Sequence, residues 1–259
     1  MTKIISFASQ KGGVGKTTLC LQFAHFLVKK KKKVLVIDLD PQGNSSTRLI
    51  DKSESDDNIE YHFSGTKTSD LFNEELDEIN PAKCSYGMDL IWSRENDPEL
   101  ADLEVISLEK ALNVRKHLKK IQKEYDFIVI DCPPALGRKL YAALAFSTHV
   151  VCPVKLSGFA LSGLSGLIET IISVQQKVNS ELKIAGIIVN NMDKTVRNAR
   201  ELEKLKSFAG DYLLKNIIMQ RGPIDHASSD GLPIWDTPHG YVAGNEITKV
   251  MNELLKKIN

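Results

Sequence analysis

The sequence predicts an α/β protein built on a doubly wound, mostly parallel sheet flanked by helices. Three observations carry this expectation. Short apolar runs alternate with longer amphipathic stretches, several of the runs are apolar without alternation, and the first run leads directly into a glycine-rich loop and a helix. A strand covered on both faces has no wet side, so it loses the period-two pattern of a half-exposed strand. Alternating such strands with helices implies crossover connections between parallel neighbours.

In chain order, Ile4–Ala8, Val34–Leu39, Met88–Trp92, Phe127–Ile130, His149–Val154, Ile184–Asn190 and Leu213–Met219 read as strands. Helical patterns cover Lys16–Lys30, Leu108–Tyr125, Leu140–Phe146, Leu161–Val178, Val196–Phe208 and Glu246–Ile258. Within Leu108–Tyr125 the apolar residues fall at three- and four-residue intervals while Arg115, Lys116, Lys119 and Lys120 fill the rest, the pattern of a covering helix with a basic outer face. Asp51–Thr68 is rich in Ser, Asp, Glu and Gly, which predicts an exposed connection and not a domain boundary. The chain has 259 residues, enough to bury one α/β core, and a single domain over 1–259 is expected.

Charge and cysteine content exclude several classes. The 34 Lys and Arg nearly cancel the 33 Asp and Glu, so any affinity for nucleic acid must come from an uneven distribution of charge. Cys20, Cys84, Cys132 and Cys152 are widely spaced with no C-x-x-C pair, which argues against zinc ligation and a disulfide framework and for reduced thiols. No run approaches the ~18–20 apolar residues of a membrane span, so a soluble, cytoplasmic protein is expected. The run Lys29–Lys33 ends a helix, where cations complement the negative end of the dipole, and reads as structural.

Ser9–Leu19, SQKGGVGKTTL, joins the first strand to the first helix, the context that a phosphate-binding loop requires. Gly12, Gly13 and Gly15, with Val14 between them, let backbone N–H groups turn inward around phosphates at the positive end of the helix. Lys16 is placed to reach the β- and γ-phosphates, Thr17 to put its hydroxyl on Mg²⁺, and Thr18 to meet the α-phosphate. Phe127–Gly137, FIVIDCPPALG, has the Walker B form of apolar residues followed by one acid, so Asp131 is expected to hold Mg²⁺ through water, and the two prolines after it to stiffen a segment that senses the γ-phosphate. Asp38 and Asp40 stand at the carboxyl end of a buried strand, the edge where open α/β sheets bind ligands.

Gln10 occupies the position where the usual loop pattern wants a glycine, and the string K-G-G-x-G-K-T-T, Lys11 to Thr18, resembles the deviant Walker A box of the ParA/MinD family of ATPases. Cys152–Leu167 and Arg221–Val250 are similar to ParA proteins as well, so the likeness covers essentially the whole chain, except Asp51–Thr68 and Ser93–Val105. The resemblance implies an ATP- and Mg²⁺-dependent hydrolase that dimerises with ATP bound. Lys11 is implied to cross the dimer interface to the partner's phosphates, Asp40 to orient the attacking water, Asp38 to support the magnesium site, and Asn190 to contact adenine. It also implies binding to non-specific DNA, stimulation by a ParB-like centromere-binding protein, association with the nucleoid, and plasmid or chromosome partition.

For the DNA surface, Lys194, Arg197, Arg200 and Lys204 fall at spacings of three, three and four on one side of a helix, and Arg221, Lys249, Lys256 and Lys257 could extend it. The chain begins at the phosphate-loop strand, so the amino-terminal helix-turn-helix of larger ParA proteins is not expected. The alternatives are a MinD-like ATPase on membrane, which would need an amphipathic tail after the last helix, and a cargo-positioning relative acting on protein assemblies. A redox role like that of the nitrogenase iron protein would need paired cysteines. A non-enzymatic nucleotide module would lack Asp40 and Asp131, and both are present.

Overall fold

The computed structural model describes residues 1–55 and 58–259. In chain order its elements are β1 (Lys3–Phe7), α1 (Lys16–Lys29), β2 (Val34–Asp38), α2 (Ser46–Leu49), β3 (Lys52–Ser55), β4 (Asn58–Tyr61), β5 (Ala82–Lys83), β6 (Asp89–Ile91), α3 (Pro98–Asp102), α4 (Leu108–Ile121) and β7 (Phe127–Asp131). They continue with α5 (Arg138–Phe146), β8 (His149–Val154), α6 (Ala160–Lys177), β9 (Lys183–Val189), α7 (Val196–Ala209), α8 (Gly222–Asp230) and α9 (Tyr241–Ile258). A seven-stranded sheet runs β5-β6-β2-β7-β1-β8-β9, and every pair in it is parallel except β5 with β6. The expected doubly wound α/β fold is therefore present.

Each face of the sheet carries its own core. In β7 the side chains of Ile128 and Ile130 join the cluster that α4, α5 and α6 cover, while Phe127 and Val129 join the one beneath α1 and α9. Period-two alternation survives as a choice between two apolar layers, which is why these strands show no polar face. β1 lies between β7 and β8, with β2 on the far side of β7, so the carboxyl ends of β1, β7 and β2 converge at the switch point where open α/β sheets bind ligands. The register sets Phe7 beside Asp131 and Asp38 beside Asp131.

Four expectations change in detail. Leu213–Met219 is not a strand of the sheet: it touches the edge through isolated bridges, Ile187 with Leu213 and Met192 with Met219. The amides of Lys215 and Asn216 that a ladder would use instead donate to the Glu253 carboxylate of α9, at 2.7 and 3.0 Å. The last helix begins at Tyr241, not Glu246, because Ala243 and the small Gly244 pack into the core, Gly244 against Trp235. The helix from Leu108 gives way to a 3₁₀ turn at Gln122–Glu124.

The stretch Asp51–Thr68 is more than an exposed connection: it forms the antiparallel β3–β4 pair, stacks Phe63 on Trp92 at 4.6 Å, and buries Thr66 and Thr68. Asp56 and Asp57 of that stretch lie outside the described residues. The Lys29–Lys33 run has structural company, with Lys29 over Trp235 at 4.6 Å, Lys30 over Phe26 at 4.8 Å and Lys33 over Tyr125 at 5.1 Å. All four cysteines are buried and free, and burial pushes the thiols of Cys84, Cys132 and Cys152 up to about 12. Among the described residues no helix is long and apolar enough to cross a membrane.

The segment after α8 docks on α1 through polar anchors. Gln22 donates to the Leu232 carbonyl and accepts from the Ile234 amide, and the His25 ring meets the Gly231 carbonyl at 3.0 Å. Burial lowers the His25 pKa to about 4 from the ordinary 6.5. The unfolded chain therefore takes up this proton near pH 6.5 while the folded one resists until about 4, so the contribution is present above that window and is lost as pH falls through it. The melting temperature of His25→Gln should fall less steeply than that of wild type between pH 6.5 and 4, as followed by circular dichroism; equal slopes would contradict this.

Candidate functional site

Between β1 and α1, residues Lys11–Gly15 turn with Gly13 and Gly15 at positive φ, 69° and 81°, where glycine alone is at ease. Gly15 has a second reason to be glycine, since a Cβ there would come within 2.1 Å of Asn190 Nδ2. That amide donates to the Val14 carbonyl at 2.8 Å, so Asn190, buried at the end of β9, braces the loop from the sheet. On one side of the loop a cleft of about 320 Å³ is lined by Lys11, Lys16, Thr17, Thr18, Asp40 and Arg48, among others. On the other, a cleft of about 240 Å³ is lined by Thr18, Asn190, Asn191, Arg221 and Asp225, among others, and the two share Gly13, Gly15 and Thr18.

Lys16 is buried, with its ammonium 2.7 Å from Asp131 Oδ1 and 3.6 Å from Asp40 Oδ2. Burial works against that charge, but Asp131 and Asp40 outweigh it and hold the ammonium well above the ordinary lysine range. Ser45 donates to the other Asp131 oxygen at 2.8 Å. Asp38, fully buried beside Asp131, spends its oxygens on the chain: Oδ2 accepts from the Ser46 amide and hydroxyl, both at 2.8 Å, and Oδ1 from the Asp40 amide at 3.2 Å. Burial first, and Asp131 next, push its carboxyl up to about 7. Asp38 thereby shapes the turn that presents Asp40. Asp40 in turn accepts from the Gln42 amide at 3.1 Å and reaches the cleft.

Lys11 stands apart from this cluster. It has no carboxylate partner among the described residues; its ammonium lies 5.2 Å from the centre of the Phe159 ring, and its stem passes Gly163 of α6. Phe159 is itself 73% exposed.

Of the expected DNA contacts, Lys194, Arg197, Arg200 and Lys204 are exposed at and along α7, and Lys204 is paired with Glu201 at 2.8 Å. Arg221 is placed differently, in the smaller cleft beside Asn190, with its guanidinium bonded to Glu246 at 2.5 and 3.0 Å. Ser45, Ser46, Arg48, Ser228 and Phe159 had no sequence signal of their own. Ser45 and Ser46 follow the Asp38–Asp40 pair closely enough that the run GNSST could have drawn notice as a source of hydroxyls for the neighbouring acids.

A glycine-wrapped turn at a switch point, a buried lysine and acids at the ends of β2 and β7 define a P-loop nucleotide-binding protein. Comparison with known proteins narrows the class. A family model described as an AAA domain matches residues 2–184. The sporulation initiation inhibitor protein Soj of Bacillus subtilis is 32% identical over 90% of this chain and 90% of its own, and the chromosome-partitioning ATPase Soj of Treponema pallidum is 33% identical over 99% and 98%. A McdA variant from Cyanothece, solved in complex with ATP, shares the fold with a TM-score of 0.82 at 21% identity, over 98% of this chain and 96% of its own. The chain belongs to the ParA/Soj family of partition ATPases.

The buried ion cluster has a measurable consequence. Lys16→Ala leaves Asp131 uncompensated beside Asp38, so unfolding free energy without nucleotide should drop by about 3–5 kcal/mol in denaturant titrations. A drop below about 1 kcal/mol would mean that the pair contributes no more than a surface salt bridge.

Proposed function

We propose that this chain, as a single P-loop domain, uses ATP hydrolysis to switch between a free state and a dimer that binds DNA without sequence preference, driving partition of DNA cargo with a ParB-like partner. The observation that carries the reading is the division of labour between the two lysines. Lys16 is embedded among carboxylates at the loop's inner side, whereas Lys11 rests on an exposed ring with no counter-ion among the described residues. An exposed cation–π contact is worth about 0.5–1 kcal/mol, which a phosphate on a facing subunit readily outbids. Two triphosphates facing each other would repel; a lysine inserted from each side turns that repulsion into a clamp, and loss of the terminal phosphoryl group weakens it.

The acids favour a nucleotide-bound divalent cation. Asp40 and Asp131 share the single ammonium of Lys16 in a buried space, with Asp38 buried beside Asp131, an excess of negative charge that Mg²⁺ would balance. Asp131 and Thr17 would hold the ion, with Asp38 behind them, and it would supply charge neutralisation at the phosphates. Lys16 moves from Asp131 toward the phosphate oxygens, the loop amides fix the chain of phosphates, and Asp40 orients the attacking water. The smaller cleft beside Asn190 suits the base. Exposed Arg197 and Arg200 with Lys194 supply the DNA-facing charge, and Lys204 adds to it once released from Glu201.

Sedimentation with ATP or ADP, with and without non-specific DNA, tests this. Asp40→Ala should accumulate as a DNA-bound dimer with ATP, and Lys11→Ala should stay monomeric with either nucleotide. Should the first variant remain monomeric and ignore DNA, partition is the wrong function; a ParB-like protein that fails to raise ATP turnover on wild type would redirect the reading to cargo positioning on protein assemblies. Separately, log K for DNA should fall with log salt by about 0.9 per phosphate contact, and Arg197→Glu should weaken binding to unrelated DNA sequences equally.

A further inference from the structure

We propose that Arg48 is a nucleotide-binding residue: its guanidinium holds a phosphate shared by ATP and ADP, on the side of the cleft marked by Thr18. Arg48 lies on α2 and lines the phosphate cleft with the loop. Its Nη1 donates to the Asn44 carbonyl at 2.5 Å and the Asn44 side-chain oxygen at 2.9 Å, and its Nε donates to the Ser228 carbonyl. Every one of these acceptors is neutral. No carboxylate pairs with this arginine among the described residues, although the chain has nearly as many acids as bases and its other partly buried arginine in the neighbouring cleft, Arg221, is fully paired with Glu246.

A guanidinium carries five N–H donors in a rigid fork. Three are committed here to Asn44 and Ser228, which leaves Nη2 uncommitted, and the tethers fix the plane of the fork before any ligand arrives. The anchoring is itself well braced. Gly231 at φ +70° sits so close beneath Arg48 that a Cβ there would come within 2.2 Å of the Arg48 carbonyl oxygen. A partly buried charge held only by neutral acceptors at the wall of a phosphate cleft gains its counter-charge when an anion enters.

Position along the cleft follows from Ser228. Its hydroxyl lies 2.7 Å from the Thr18 hydroxyl while its carbonyl receives Arg48, so Arg48 sits beside the second threonine of the loop; Lys16, by contrast, is turned to Asp131 and Asp40. Arg48 therefore meets the part of the nucleotide that hydrolysis leaves in place. Its contribution falls on affinity for ATP and ADP together, and on KM more than on kcat.

The inference rests on the ATPase reading above, and the test separates the two. The full chain is titrated with MgATP and MgADP by calorimetry, and steady-state turnover is measured with MgATP. For Arg48→Gln, both dissociation constants should rise at least about ten-fold, with the loss in kcat/KM carried by KM. Arg48→Lys keeps the charge and gives up the tethers to Asn44 and Ser228, and should stay within about three-fold of wild type. If Arg48→Gln proves too unstable to titrate, Arg48→Met, which keeps the apolar stem and removes the charge, is titrated in its place with the same expected and overturning results. Unchanged affinity in Arg48→Gln, or a fall in kcat with dissociation constants intact, overturns the assignment of Arg48. A wild type that binds neither nucleotide overturns the ATPase reading and this inference with it.

Discussion

The buried contact between Lys16 and Asp131 is the interaction around which the site is organised. β7 delivers Asp131 to the sheet edge, the loop after β1 delivers Lys16, and the 2.7 Å contact between them closes the gap where the chain would otherwise leave an isolated carboxylate. One ammonium serves two of the acids, Asp131 and Asp40, while burial and Asp131 hold the third, Asp38, toward its neutral form, and each acid has a different set of partners. Asp131 takes Lys16 and Ser45, Asp38 takes Ser46 and the amide of Asp40, and Asp40 keeps the most open face toward the cleft. A site with this surplus of negative charge is poised for a cation-bearing polyanion, because such a ligand relieves Lys16 and the acids in one step.

The strands at the middle of the sheet are legible in the sequence because both of their faces are buried, and continuous apolar runs such as FIVI have no other easy interpretation in an α/β alternation. The phosphate loop is legible for a different reason: glycines at positions where a side chain would strike Asn190 or force an unfavourable φ leave a spacing that survives without knowledge of the fold. Leu213–Met219 misleads because its composition suits a strand, while its pairing is decided by Glu253, a residue 37 positions from Asn216. The start of α9 is hidden by two glycines: Gly240 lies close against the Ile234 and Thr237 carbonyls, and Gly244 packs against Trp235.

The same distinction runs through the site. Lys16, Asp40 and Asp131 belong to local strings, and their placement at one sheet edge follows from the topology. Arg48 and Ser228 are joined across 180 positions and Thr18 and Ser228 across 210, so no local pattern marks them. Arg221 carried a charge that invited grouping with the α7 cations; its bidentate pairing with Glu246 and its place beside Asn190 come only from three-dimensional packing.

The position of β1 has a consequence for how the molecule is made. Of the strands in this sheet it is synthesised first, yet its neighbours on either side are β7 and β8, with Lys3 meeting Phe127 and Ile5 meeting His149. A growing polypeptide must therefore carry an apolar ribbon with no partner until β7 is made, at Phe127–Asp131, and a phosphate loop with nothing to brace it until Asn190. Asn190 and Ser228 come later still, so nucleotide cannot nucleate the early stages of folding and can stabilise only a nearly finished product.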